Sequence, residues 1–290
     1  MQWMTSRFSI DLQVPKIMGI VNVTPDSFTD GGQYASTAAA ISHCEKLIQE
    51  GADILDIGGE STRPGATPLS IDCELSRVLP VLREAVKMGV PVSIDTYKPH
   101  VMQAALDLGV DIINDVWALR WRAEDPRLHA LNSAEVIAAH PACGVCLMHM
   151  HREPVSMQVM PMEGEVTKQV LAFLQVVTSD LCALGVSPAR MVVDPGIGFG
   201  KTVAQNFELL ARQRNLLECG YPLVAGWSRK SSLAAVIGDP LANNQEFQSH
   251  PRMVASVAAA VLAIERGASV VRVHDVRETA QALKVLQALQ

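Results

Sequence analysis

The sequence predicts a (β/α)8 TIM barrel, one domain spanning residues 1–290. Three observations lead there. Eight short apolar runs recur along the chain, each ending in polar residues. The runs are continuous rather than alternating, which suits strands buried on both faces of a parallel sheet. Amphipathic segments lie between most of them, with glycines where helices would stop, and nothing reads as a domain linker.

Taken in order, the first strand is predicted over Ile17–Val23, and a helix over Thr37–Glu50 stops at Gly51. Ile54–Ile57 and Pro91–Ile94 are the second and third strands. A helix over Lys98–Leu108, ended by Gly109, leads to the fourth strand, Asp111–Ile113. The fifth strand, Val145–Met148, precedes a helix over Val166–Leu184 that ends at Gly185. Met191–Val193 and Leu223–Ala225 follow, and a helix over Arg252–Arg266 ends at Gly267, just before the last strand, Ser269–Val273. Two polar excursions interrupt the pattern. Trp117–Ala142 is predicted to carry its own helix, and Gly238–Pro251 to be a surface loop.

Composition narrows the function. Hydrophobic residues are 49% and charged residues 19%, the balance of a packed globule. With 24 Lys+Arg against 30 Asp+Glu the formal charge is −6, which argues against nucleic acid or an anionic membrane as partner. The opening MQWMTSRFSIDL has no apolar core of signal-peptide length, and the longest apolar stretch, Met253–Ile264, falls short of the roughly 20 residues a membrane span needs. A cytoplasmic protein with reduced thiols is expected. Cys143 and Cys146 have CxxC spacing but run into a predicted strand, where residues three apart face opposite ways; packing is the expected role.

In a barrel of this kind the chemistry sits at the C-terminal ends of the strands. Those ends supply Asn22, then Glu60-Ser61-Thr62-Arg63, Asp95, Asn114-Asp115, His149, Asp194, Ser228-Arg229-Lys230, and finally Arg272 and His274. Any one of them could cap a helix or hold a turn; polar groups at all the ends read as a ligand ring. Asp95, Asn114 and Asp194 suit a flat heterocycle with N–H donors. Arg63, Lys230, Arg272 and His274, with Asn22 and Thr62, suit a phosphorylated group. Two further segments invite other readings. Pro195-Gly-Ile-Gly-Phe-Gly-Lys201-Thr202 resembles a phosphate loop, but proline stands where its first glycine must be. His149-Met-His151 would be half a metal site, without an obvious third or fourth ligand.

Several of these segments form recognisable motifs. Met18-Gly-Ile-Val-Asn-Val-Thr-Pro-Asp-Ser-Phe28, Gly51–Gly65 with its Gly-Gly-Glu-Ser-Thr-Arg-Pro-Gly ending, Ser93-Ile-Asp-Thr96, Ile113-Asn-Asp-Val116, Leu147-Met-His-Met150, Asp194–Lys201, Ser228-Arg-Lys-Ser231 and Arg272-Val-His-Asp-Val276 occur in that order. The set resembles the dihydropteroate synthase family, from about Lys16 to the C-terminus. The resemblance implies a (β/α)8 barrel, a homodimer, and a folate-pathway transferase. Such an enzyme joins 6-hydroxymethyl-7,8-dihydropterin diphosphate to 4-aminobenzoate and releases pyrophosphate, with Mg2+ accompanying the diphosphate. It implies pterin contacts from Asp95, Asn114, Asp194 and Lys230, a pocket bordered by Met148 and Phe199, and Arg272 stacked on the pterin. Asn22, Thr62, Arg63, Arg272 and His274 would hold the diphosphate, with Asn22 near the magnesium. Phe28, Pro64, Phe199 and Ser231 would shape the aminobenzoate pocket, and Arg63, Lys230, Arg272 and His274 would serve catalysis.

The chain departs from the family pattern at His151-Arg152, where Gln-Gly is common, at the long Trp117–Ala142 excursion, and at Trp227. Two other readings share the ring: a pterin-binding methyltransferase-type barrel, which has no need of the diphosphate cations, and a catalytically silent pterin-binding paralogue. The turn-forming composition of Thr24–Gln33 and Ser61–Gly65 further predicts loops that take shape around the anion and so create the second pocket.

Overall fold

A computed structural model describes residues 1–24, 32–61, 67–123, 125, 131–152, 160–239 and 252–289, with the side chains of 32–35 left aside. Ten strands are described. β1 (Gln2–Met4) and β2 (Ser9–Asp11) form an antiparallel hairpin. The others close a barrel in sequence order: β3 (Lys16–Asn22), β4 (Ile54–Gly58), β5 (Val92–Asp95), β6 (Ile112–Asp115), β7 (Gly144–Met148), β8 (Met191–Asp194), β9 (Leu223–Ala225) and β10 (Ala268–Val273), with β10 returning to β3. Every pairing in the barrel is parallel. All eight predicted strands are present, each within two residues of its expected bounds at either end.

The helices are α1 (Gly32–Glu50), α2 (Ile71–Ala85), α3 (Pro99–Asp107), α4 (Ser133–Ala139), α5 (Val166–Ala183), α6 (Val203–Ala211), α7 (Gln213–Leu216), α8 (Ser231–Ile237), α9 (Met253–Glu265) and α10 (Val276–Gln287). The four glycines expected to stop helices, Gly51, Gly109, Gly185 and Gly267, have φ of 107°, 91°, 87° and 93°, the left-handed conformation that ends a helix without a Cβ clash. The Trp117–Ala142 excursion carries α4, as expected. Most of the Gly238–Pro251 loop lies outside the described residues.

Strand alternation divides the core in two. Ile17, Val21, Leu55, Ile57, Val92, Ile94, Ile113, Val145, Leu147, Val193 and Val271 point outward into the layer shared with the helices. Met18, Ile54, Ile112, Cys146, Val192, Val224 and Val270 point inward and fill the lower barrel. The N-terminal hairpin, which the sequence reading missed, closes this lower layer from below. Trp3, Ile10 and Leu12 pack into it, and the Trp3 Nε1 donates to the Arg190 carbonyl at 2.9 Å. The cysteine reading holds: Cys143 belongs to the outer layer and Cys146 to the inner one. Among the described residues, no helix is long and apolar enough to cross a membrane.

Candidate active site

Above the apolar plug the same inward positions turn polar. Continuing each alternation upward from Ile54, Ile112, Cys146, Val192 and Val270 gives Asp56, Asn114, Met148, Asp194 and Arg272. The ladder brings them level: Gly58 pairs with Asp95, Asp95 with Asn114, and Met148 with Asp194. Asn22 closes the row beside Gly58.

Arg272 is the hub. Its Nη2 donates to Asp95 Oδ2 and its Nε to Asp56 Oδ2, both at 2.6 Å. Asn114 Nδ2 donates to the same Asp56 oxygen at 3.2 Å. Burial opposes the charge on Arg272, but the two carboxylates outweigh it and hold the guanidinium well above its ordinary range. Burial raises the Asp95 carboxyl to about 7 against the pull of Arg272, and burial likewise raises Asp194, against the Gly196 amide and the charges of Lys230 and Arg272. Among the described residues, Asp56 Oδ1 and Asp95 Oδ1 are buried without a hydrogen-bond partner. Asp56 lies inside its strand, so the pattern of polar strand ends does not reach it. The signal was a carboxylate inside an apolar run, two residues beyond inward-facing Ile54.

One side of the ring is apolar. Tyr97, Val116, Met148, Met150 and Phe199 form a small buried cluster beside Trp117 and Trp121. Lys230 Nζ lies 4.2 Å above the centre of the Phe199 ring, a cation–π arrangement that ties a predicted pterin contact to the predicted pocket wall. His274 stands across from Ser228, its Nδ1 3.0 Å from the hydroxyl, and the same hydroxyl accepts the His274 amide at 3.2 Å. Ser231, exposed at the start of α8, lines a cleft with Gly198, Thr202, Asn206 and Ser232.

Four strand-end residues do not join the ring. Asp115 points outward and accepts the amides of Trp117 and Leu119, both at 2.7 Å, so it shapes its own loop. His149 also faces outward, edge-on to Phe173 of α5 at 4.8 Å. Glu60 pairs with Lys98, which also holds Glu74 of α2 at 2.5 Å, and it accepts from the Tyr97 hydroxyl at 2.7 Å. Arg229 pairs with Asp275 at 2.6 Å instead. Phe28, Thr62, Arg63 and Pro64 lie outside the described residues.

Asn22 offers one hard amide oxygen at the mouth, and no group of three or more His, Cys, Asp or Glu among the described residues could cage a metal. That donor set fits a magnesium ion that keeps most of its waters and arrives on phosphate oxygens.

The sequence profile of pterin binding enzymes matches residues 18–274. A dihydropteroate synthase of Neisseria meningitidis serogroup C is 46% identical over 290 residues, covering 99% of this chain and 97% of that protein. The fold matches the Xanthomonas albilineans dihydropteroate synthase solved with 4-aminobenzoic acid, with a TM-score of 0.85 at 43% identity over 97% of this chain and 95% of that one. It matches the Burkholderia cenocepacia dihydropteroate synthase complexed with 7,8-dihydropteroate with a TM-score of 0.84 at 42% identity, covering 99% and 96%. Matched in sequence and fold over nearly its whole length, the chain belongs to the pterin-binding enzyme family, among the dihydropteroate synthases.

Proposed function

We propose that the upper ring condenses 6-hydroxymethyl-7,8-dihydropterin diphosphate with 4-aminobenzoate, giving 7,8-dihydropteroate and pyrophosphate in folate biosynthesis. The observation that carries the reading is the carboxylate pair of buried Asp194 and largely buried Asp95, level with Asn114 and crossed by Arg272, inside a barrel whose relatives were solved with 7,8-dihydropteroate and 4-aminobenzoic acid.

Asp194 accepts from the N–H edge of the pterin, and Asp95 and Asn114 contact its other edge. Buried carboxylates suit this task because their spare acceptors meet donors in a dry site. Met148 and Phe199 border the ring system, Lys230 contacts it, and Arg272 lies against its face. Asn22, Thr62, Arg63, Arg272 and His274 take the diphosphate, with Ser228 orienting His274. Phe28, Pro64, Phe199 and Ser231 shape the aminobenzoate pocket. Bound magnesium, held by Asn22 and the diphosphate, would supply further neutralisation of the leaving group.

Arg63, Lys230, Arg272 and His274 gather positive charge where the leaving group develops negative charge. The aniline nitrogen attacks the methylene carbon, the carbon–oxygen bond breaks with its electron pair going to pyrophosphate, and the nitrogen loses a proton. That nitrogen is already nucleophilic, so positioning and electrostatics carry the step. We further take residues 1–290 as one domain. The exposed Val236, Ile237, Val254 and Leu262 on α8 and α9 support a homodimer, and six free cysteines suit the reducing cytoplasm. A pyrophosphate-release assay with both substrates tests the reaction. Release that requires both substrates is expected; none with either or both refutes it.

A further inference from the structure

Two residues that the ring leaves unused meet in the structure. Lys201 belongs to the stretch that resembles a phosphate loop, and His149 opens the His-Met-His stretch. Lys201 is 3% exposed. Its Nζ donates to the carbonyls of Gly196 at 2.8 Å and Phe199 at 3.1 Å, and lies 2.9 Å from His149 Nδ1. An ammonium carries three N–H donors and no acceptor, so all three are taken within the chain and none is left for a phosphate.

His149 can accept because it is neutral: burial, with the nearby charges of Lys201, Arg120 and His151, lowers its imidazole to about 2. Burial also draws Lys201 down to about 7, with Asp194 supporting its charge and Lys230 opposing it. Both protonation states keep the contact. An ammonium donates to Nδ1; an amine accepts from Nδ1–H while still donating to both carbonyls.

The glycine-rich turn bound in this way has no slack. Gly196 has φ 68°, and a Cβ there would lie 1.8 Å from the His149 carbonyl oxygen. Gly200 has φ 72°, and its Cβ would lie 2.6 Å from that of His151. The turn in turn sets two ring residues. Its Gly196 amide donates to Asp194 Oδ1 at 2.6 Å, and it carries Phe199 under Lys230.

We propose that Lys201 and His149 form a buried clamp that fixes the glycine-rich turn and through it positions Asp194 and Phe199 for the pterin. Both are positioning residues, and the proposal rests on the pterin reading of the ring. Lys201→Met keeps the length and removes every donor. Its expected effect, by calorimetry with 6-hydroxymethylpterin, is a loss of at least about tenfold in affinity, with a matching rise in KM for the pterin diphosphate and a smaller change in kcat. A folded Lys201→Met with affinity within about twofold of the unmodified chain overturns the clamp.

If Lys201→Met does not fold, the His149 variants decide. His149→Gln, which keeps an acceptor, should retain affinity that His149→Leu loses; equal affinities overturn the proposal. Nitrogen-15 NMR of the unmodified protein, reading the Lys201 Nζ and the His149 ring in the same sample, gives a third reading: an ammonium must face an unprotonated Nδ1, or an amine a protonated one; an ammonium facing a protonated Nδ1 overturns the clamp. Pyrophosphate release by the unmodified chain is measured alongside. Its absence would count against the synthase reading, while pterin binding and the NMR tautomer would still judge the clamp.

Discussion

Arg272 Nη2 sits 2.6 Å from Asp95 Oδ2, so the carboxylate proposed for the pterin edge is held by the cation proposed for both the pterin face and the diphosphate. The pair makes the ring sensitive to pH. Asp95 is raised to about 7, chiefly by burial. The folded chain therefore keeps this proton where the unfolded chain has already released it. Its contribution to stability is present below the ordinary carboxylate range and is lost as pH rises to about 7. Ligand binding follows the opposite course, because an N–H donor needs the carboxylate. Affinity for 6-hydroxymethylpterin should improve between about pH 5.5 and 8.5, with protons released on binding at the acid end. Titration calorimetry in buffers of different ionisation enthalpy measures that release. A flat affinity without proton release would show that Asp95 is ionised throughout.

Asp194 is the second test of the ring. Its Oδ1 accepts the Gly196 amide at 2.6 Å. Asp194→Asn sets a donor against a donor. A loss of about 2–4 kcal/mol in pterin affinity is expected, as for a buried charge-assisted pair left mismatched. Near-native affinity in the variant would remove Asp194 from the pterin edge.

At the other end of the barrel, Trp3 is fully buried and bonded to the Arg190 carbonyl. Trp3→Ala should cost about 3–5 kcal/mol of unfolding free energy, the range for large aromatic truncations in a core. Turnover per folded molecule should hold, because the hairpin closes the end opposite the ring. Denaturant unfolding together with an active-site titration separates the two effects. A variant that lost less than about 1 kcal/mol would mean that the lower layer collapses around the gap.

The barrel was legible in the sequence because strands buried on both faces leave continuous apolar runs, and left-handed glycines mark where the helices stop. The hairpin was not, since three residues with one buried side chain, as in Gln2-Trp3-Met4, leave no periodic signal. Within the site, Asp95, Asn114, Asp194 and Arg272 were readable as strand ends. Inward direction is the further information the alternation holds. Alternation from Ile54 puts Asp56 inside, while alternation from Asn114 and Met148 puts Asp115 and His149 outside, so position in the strand's period of two separates ring from scaffold. The Lys98–Glu60–Glu74 cluster had no signal of this kind, because Glu60 and Glu74 stand far apart in one connection and Lys98 in the next.

One family departure leads to a stability prediction. Arg152, standing where glycine is common in the family, has φ 59°, a left-handed conformation that strains any residue with a Cβ. Its Nε donates to His151 Nε2 at 3.3 Å, an exposed contact at the long end of the hydrogen-bond range. Backbone relief and the extra freedom glycine has in the unfolded chain pull in opposite directions. At a left-handed position the relief is the larger, so Arg152→Gly should stabilise the fold by about 0.5–1 kcal/mol. Arg152→Ala, which drops the side-chain bond but keeps the Cβ, separates the two contributions and should not stabilise. Thermal and denaturant unfolding of both variants checks this. If glycine destabilises while alanine is neutral, the left-handed backbone at 152 is not strained and the departure needs another explanation.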